Sequence, residues 1–312
     1  MVGIAVTTGA IDVLGIGCAA VDDLIYVDAY PEANSKAPVR ESVRDFGGLT
    51  ATALVAASRL GSRCAFAGVL GNDELSEAVI AHLADEQVDV SLVLQRDDAR
   101  PVHSMIVVGQ NPESRNIFFR FAGVIAAEPG WPNDEVIQSA KVLLIDHVGL
   151  AGSIAAARIA REAGIPVVAD IEGEATPQLE ELLSLIDHLI VSFEFARKLT
   201  GLDEPAAIVD RLWAEGRQLV AVTIGADGCW FRSTDDSATQ HLPAYKVHVV
   251  DTTGCGDVFH GAYASALARG LEANERLSFA SAAAALKATQ KGGQSGIPTR
   301  SVVESFLQEY PR

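Results

Sequence analysis

The chain is short of cysteine, short of basic side chains, and without long uncharged apolar runs. Its four cysteines, Cys18, Cys64, Cys229 and Cys255, stand alone. None belongs to a C-x-x-C or Cys/His pairing, which argues against structural zinc and makes a reducing cytoplasm the simplest setting. Lys and Arg number 24 against 41 Asp and Glu, for a net charge of −17. Neither nucleic acid nor an anionic membrane finds the basic face it needs there. A nucleotide is still permitted, because it needs only a few local donors and brings its own metal. No uncharged apolar stretch reaches the ~18 residues of a membrane span. The apolar first twenty residues carry no leading positive charge, and Asp12 interrupts them, so no secretory signal is expected. A P-loop pattern, an internal repeat and a low-complexity tail are all missing.

What is present is a regular alternation. From about 140 to 235, KVLLID, IPVVADIEG, HLIVSF and RQLVAVTIG read as short buried strands. Between them SIAAARIAREAG, PQLEELLSLID, FEFARKLTG and EPAAIVDRLWAEG read as helices. This spacing predicts βαβ units on a parallel sheet with helices on both faces. Ligands of such sheets bind beyond the carboxyl ends of the strands, where Asp146, Asp170, Ser192, Gly225 and Asp251 fall. Two stretches break the rhythm, 24–46 and 99–121. The second has two β-rich runs, HSMIVVG and RNIFFRF, around the turn-forming QNPES. Together they predict a small β-sheet inserted into the α/β frame.

Four glycine-bearing motifs compete for attention. GIGCAA (15–20) fits the dinucleotide fingerprint, but VDDLIYVDAYP after it reads as strand, so a tight strand-to-strand turn is the expectation. FGGLTATALVAASRLGS (46–62) is a glycine pair opening an alanine-rich helix, suited either to close packing or to offering free amides. TIGADGCWF (223–231) predicts a hairpin whose Gly225 lets a flat ring or a phosphate approach the backbone. DTTGCGD (251–257) is the sharpest: Gly254, Cys255 and Gly256 would present consecutive amides at a helix N-terminus, an anion cradle reinforced by the dipole. Asp257 in the first turn then has two roles open to it, helix stabilisation or deprotonation of a hydroxyl that attacks phosphorus. An ordinary Asp, with pKa about 3.9, is ionised and ready to accept a proton at neutral pH. Phosphoryl transfer joins both halves, since fixed donors and positioning supply most of its rate.

At these residues the chain resembles the ribokinase/PfkB carbohydrate kinases over nearly its whole length. DTTGCGDVFHGA resembles their C-terminal signature, with Cys255 where alanine is usual; FGGLTATALVAASRLG followed by AGVLGND resembles the N-terminal one. The resemblance implies a ribokinase-like three-layer α/β/α core with a mostly parallel sheet, a single domain over 1–312, and a β lid formed by about 22–45 and 98–122. It implies Asp257 as catalytic base, with Gly254, Cys255 and Gly256 as anion hole. Asp22, Gly47, Gly48 and Thr52 fall at the sugar site. Thr223, Gly225, Gly228 and Ser192 fall at the nucleotide. Glu194, Asp251 and Thr253 fall where metal ions belong, the last two where many members bind a monovalent cation. The implied cofactors are ATP and Mg²⁺, with K⁺ as a further possibility, and the implied partners are a small sugar and a second copy docked through the lid.

The chain departs from the pattern in places. Leu49 and Thr52 replace the Lys and Asn that ribokinases carry, which argues against ribose. SFEF (192–195) replaces the N-x-x-E motif, leaving Glu194 one residue out of place as its substitute, and Ser76 ends the segment after GND where glycine is common. A phosphorylated or sulfonated sugar would need a cationic clamp, for which Arg44, Arg115 and Arg120 are candidates; His103 and His147 are candidates for substrate contact. A sugar- or nucleotide-binding regulator on the same fold is the alternative from another class.

Overall fold

The computed structural model describes residues 10–110, 113–125, 127–236 and 238–311. Strand β1 (Val13–Ile16) passes through the GIGCAA turn straight into β2 (Ala20–Val27), so this glycine motif opens no helix. After β3 (Glu41–Gly47) the glycine pair starts α1 (Leu49–Arg59). Next come β4 (Cys64–Phe66), β5 (Val69–Leu70), α2 (Glu74–Asp85), β6 (Val88–Asp89) and β7 (Leu94–Gln95). Asp73 caps α2 and also accepts the Ser76 hydroxyl, which in turn receives the Gly71 amide. Ser76 therefore serves as a buried turn clip where a glycine would leave those groups to each other. The hairpin β8 (Val102–Gln110) and β9 (Glu113–Arg120) follows as the sequence predicts.

The second half alternates as expected: α3 (Asp134–Ser139), β10 (Val142–Asp146), α4 (Leu150–Glu162), β11 (Val167–Asp170), α5 (Pro177–Ser184), β12 (His188–Ser192), α6 (Phe193–Thr200), α7 (Pro205–Leu212) and β13 (Leu219–Thr223). Helix α7 stops before its sequence pattern does. Trp213 turns extended, and its ring lies under the Arg232 guanidinium at 4.8 Å. Then β14 (Cys229–Ser233), β15 (Gln240–Leu242), α8 (Cys255–Ala268), α9 (Ala273–Ala288) and α10 (Arg300–Glu309) complete the described chain.

Nine strands form the main sheet in the order β15-β14-β13-β12-β11-β10-β1-β4-β6, parallel except for β14 and β15. Strands buried on both faces read as continuous apolar runs, as VLLID and LVAVT do. Alternate residues feed two cores. Val142 and Leu144 join the layer of α1, α8, α9 and α10, while Leu143 and Ile145 join that of α4, α5, α6 and α7. The chain runs outward from β1 through β4 to β6 and then returns to place β10 beside β1. That reversal is a topological switch point, where open α/β sheets leave a crevice. The smaller sheet, order β3-β2-β8-β9, rises from the same end. Among the described residues no helix is long and apolar enough to cross a membrane.

Candidate active site

The crevice is organised by one buried carboxylate. Asp146 ends β10 beside the switch point and is fully buried. Its Oδ2 accepts the Cys18 amide (2.8 Å) and the Thr50 hydroxyl (2.7 Å), and its Oδ1 accepts the Val148 amide (2.9 Å). This clip ties the β1–β2 turn to the start of α1. With the Cys18 amide engaged and β2 following directly, the G-x-G-x-x-A stretch is a strand-to-strand turn that opens no helix.

The clip sets Asp22 on β2 against the glycine pair. A Cβ on Gly47 would come within 2.5 Å of Asp22 Oδ2, so only glycine permits that approach. Burial raises the Asp22 carboxyl; the Ser104 hydroxyl hydrogen-bonded to it lowers it, and the Asp45 charge raises it again, with a net shift upward. Gly48 directly precedes α1. Thr52, expected at the sugar, is not in the crevice. It is buried in α1, and its hydroxyl accepts the Gln294 amide at 2.9 Å.

At α8 the predicted cradle forms in part. Gly254 has φ +74°, a left-handed geometry, and a Cβ there would meet the Gly293 carbonyl at 2.7 Å. Gly256 faces open space. The Cys255 amide turns back to the Thr252 carbonyl (3.2 Å), and its thiol donates to the Ala284 carbonyl (3.6 Å), tying α8 to α9. Thr223, Gly225 and Gly228 join Cys255, Gly256, Ala284 and Ala288 around a largely apolar cavity of about 480 Å³. A cavity of that size with few polar groups accepts a flat heterocycle and its ribose. A second cavity of about 560 Å³ lies between Tyr26 and Val108 of the small sheet and residues 249–253.

Asp257 sits in the first turn of α8, half-buried. It is not the ordinary aspartate the sequence led us to expect. Burial and the Asp170 charge push its carboxyl well above the usual range; His260 offsets part of this, while Glu172 and Asp22 add to it. Asp170 and Glu172 come from the end of β11 and the loop after it. Glu172 carried no motif in the sequence and was missed. Asp170 Oδ2 is buried and meets the His260 ring at 3.1 Å. The carboxylates of Asp170 and Glu172, crowded beside Asp257, are a donor set that fits a hydrated magnesium ion, which takes few protein ligands. Among the described residues no group of three or more His, Cys, Asp or Glu forms a metal cage of its own. Glu194, expected near the metal, points to solvent: its side chain is 81% exposed and pairs with Lys198. Ser192, expected at the nucleotide, spends its hydroxyl capping α6 through the Phe195 amide (3.2 Å).

His260, one turn after Asp257, faces acceptors only. Nδ1 lies 2.9 Å from the Gly256 carbonyl as well as 3.1 Å from Asp170, and Nε2 lies 2.9 Å from the Ile190 carbonyl. Burial opposes its charge, but Asp170 and the two carbonyls outweigh this and raise its pKa from 6.5 to about 9. A pKa raised by folding means stability that is whole below about pH 6.5 and gone above about pH 9. In the metal-free protein, the Tm advantage of wild type over His260→Asn should therefore shrink as pH rises across that window. An advantage that holds constant or grows through it would contradict the imidazolium assignment.

Asp251 does not fit the cation role. Its Oδ1 accepts the Thr253 amide (2.8 Å) and hydroxyl (2.7 Å), and its Oδ2 accepts the Gly292 amide (2.9 Å). Its carbonyl accepts the Lys287 ammonium at 3.0 Å. Thr253 is thus committed to Asp251. The proposed cationic clamp loses Arg44. Arg44 and His103 both pair with Asp23, at 2.8 Å each. Strand alternation puts Asp23 on the face opposite Asp22. Arg120 is exposed beside His103 in register, and the Arg115 side chain lies outside the described residues. His147 accepts the Glu172 amide at 3.2 Å and thereby orients the acidic loop.

A parallel sheet covered on both faces, with a helix terminus offering amides and an acid at its switch point, defines an α/β enzyme that handles phosphorylated ligands. The comparisons narrow the class. The chain belongs to the pfkB family of carbohydrate kinases, whose sequence model matches residues 16–300. It is 31% identical to a ribokinase of Haemophilus influenzae, over 84% of this chain and 87% of that one. It is also 31% identical to fructokinase-1 of Oryza sativa subsp. japonica, over 84% and 88%. The fold is ribokinase-like. A putative ribokinase from Agrobacterium tumefaciens superimposes with a TM-score of 0.88 at 30% identity, covering 97% of this chain and 99% of that one. Arabidopsis thaliana ribokinase, solved with ribose and ATP, gives 0.84 at 25% identity, covering 96% and 99%.

Proposed function

We propose that this protein transfers the γ-phosphoryl group of ATP to a hydroxyl of a small neutral sugar. The observation that carries this reading is the placement of Asp257 in the first turn of α8, next to Gly256, which faces open space and lines the apolar cavity. The adenine moiety takes the apolar cavity beside Gly225 and Gly228. The Gly254 and Gly256 amides and the α8 dipole receive phosphate oxygens. Asp22, set against Gly47, orients sugar hydroxyls, and Asp257 takes the proton of the acceptor hydroxyl as its oxygen bonds to phosphorus. A raised pKa suits that task, because a stronger base accepts the proton more readily once ionised. Magnesium, held through Asp170 and Glu172, would offset the phosphate charge. The crowding of Asp22, Asp170, Glu172 and Asp257, with Arg44 committed elsewhere, favours a neutral sugar over a phosphorylated or sulfonated one. The whole chain acts as one domain in a reducing cytoplasm, with the small sheet as its lid. A coupled ADP-release assay over a panel of neutral and anionic sugars tests the proposal. Turnover confined to anionic sugars, or none with ATP still bound, would refute it.

The lid is also the surface we assign to a second copy. Among the described residues strand β9 is an edge of its sheet, and Val43, Ile117 and Phe119 stand exposed on the face shared with Asp22, Phe119 by 63%. Exposed apolar patches beside an open edge mark contact surfaces. Phe119→Asp is expected to turn a dimer into a monomer in sedimentation velocity. A wild type that sediments as a monomer at all concentrations would end this assignment.

A further inference from the structure

Asp251 and Thr253 lie where the family resemblance places a monovalent cation, yet the group at that spot is part of the chain. Lys287 is in the last turn of α9, in the run SAAAALKAT, and its side chain has no solvent exposure. A fully buried lysine among alanines is costly unless its charge is met by acceptors. The Asp251 carbonyl is placed to do this, 3.0 Å from Nζ, at the foot of the turn that leads into α8. The Cys255 thiol stands 4.0 Å from the same oxygen. The backbone reinforces this arrangement: the Val250 and Asp251 amides both donate to the Ala288 carbonyl, at 2.7 and 3.1 Å. The Asp251 carboxylate is itself held below the usual range. Against its burial, the Thr253 hydroxyl and amide and the Gly292 amide stabilise it, and the Lys287 charge adds to them.

We propose that the Lys287 ammonium is the resident cation of this kinase, doing from within α9 what a potassium ion does from solution, so that its turnover is independent of monovalent salt. The inference rests on the kinase reading above. An ammonium and a potassium ion carry the same charge and seek the same oxygen ligands. Two such charges on one carbonyl repel each other strongly at low dielectric, so the ion and the side chain exclude one another. Placed at the foot of the 251–254 turn, the ammonium draws the Asp251 carbonyl inward and holds the turn whose next amides face the phosphate. Its positive charge adds to the α8 dipole at the point where negative charge accumulates.

The test compares wild type with Lys287→Ala and Lys287→Met in potassium, ammonium, sodium and choline chlorides at one ionic strength. Two readings are taken: the rate of ADP release with MgATP and the preferred sugar, and the Tm without nucleotide. Wild type should show equal rates in potassium and choline, within about twofold, and equal Tm. Lys287→Ala should lose about tenfold or more in choline, in the range of a lost electrostatic contact, and recover in potassium or ammonium. Its Tm should rise with potassium, while Lys287→Met, which keeps the bulk, should respond less. A wild type activated several-fold by potassium would overturn the proposal. So would a folded Lys287→Ala that is fully active in choline, or one that no cation restores. If neither variant folds, the wild-type potassium titration decides alone. If no sugar is turned over, the kinase reading has failed, and the Tm comparison still reports whether Lys287 fills a cation site.

Discussion

Replacing Asp257 by asparagine is expected to lower kcat about 10²–10⁴-fold, the usual cost of losing a general base. Asparagine keeps the size of the side chain and its place in the first turn of α8, but its amide has no basic oxygen to take the hydroxyl proton. Nucleotide affinity should change little, because the groups assigned to phosphate are main-chain amides of Gly254 and Gly256 and the apolar cavity is untouched. Stability should not fall. The dipole benefit of a carboxylate there is only about 0.3–1 kcal/mol. Against it stands the repulsion from Asp170, Glu172 and Asp22, which the substitution relieves. The result sought is thus a kcat defect, with ATP binding preserved in a calorimetric titration and Tm unchanged or raised. Undiminished turnover would remove Asp257 from the mechanism. The upward shift of this carboxyl adds a pH signature. Wild-type kcat should fall on acidification at a pH above the ordinary carboxylate range, since the protonated acid cannot accept.

The second large effect is on folding. Asp146→Ala is expected to destabilise the protein by about 3–5 kcal/mol, since it strips partners from two buried donors and a third that is part-buried. Those donors are the Cys18 and Val148 amides and the Thr50 hydroxyl. Each unmet donor costs about 1–3 kcal/mol, and partial relaxation or water entry returns some of it. Set against a typical domain stability of about 5–15 kcal/mol, the loss brings the fold near its limit. Asp146→Asn keeps one acceptor oxygen but turns an amide donor toward the other side, so it should fall between wild type and alanine. Urea unfolding midpoints at constant slope give the comparison. A loss under about 1 kcal/mol for alanine would show that the clip contributes little. The surviving folded fraction should bind sugar less well, because the clip sets the Asp22 strand against the Gly47–Gly48 pair.

These predictions draw on different depths of information. The alternation of buried runs and amphipathic helices from 140 to 235, the hairpin of β8 and β9, and the turn at GIGCAA were legible because each depends on neighbours a few residues away. The DTTGCGD motif was legible for the same reason: a glycine turn, a helix start and its first-turn acid lie within seven consecutive positions. Thr52 misled because its motif position says nothing of which face of α1 turns inward, and the partner that claims its hydroxyl, Gln294, is 242 residues away. Glu194 misled because a one-residue displacement on a helix rotates a side chain by about 100°, here out to solvent and Lys198. Glu172 and His260 went unread as functional groups. Glu172 had no motif around it, and His260 looked like one more helix residue until Asp170 and the Ile190 carbonyl closed around it.

By itself, then, the amino-acid order determined the parallel α/β plan, the place of the glycine turn that opens α8 and the identity of the candidate base, because periodicity and short motifs are local properties. The tertiary structure alone decided the state of those groups. It raised Asp257 among acids from β2 and β11, buried Thr52, turned Glu194 away, and set the Lys287 ammonium on the Asp251 carbonyl. The physical reason is that a side chain's charge and its free hydrogen-bonding capacity depend on what surrounds it in space, and here those surroundings come from distant parts of the chain.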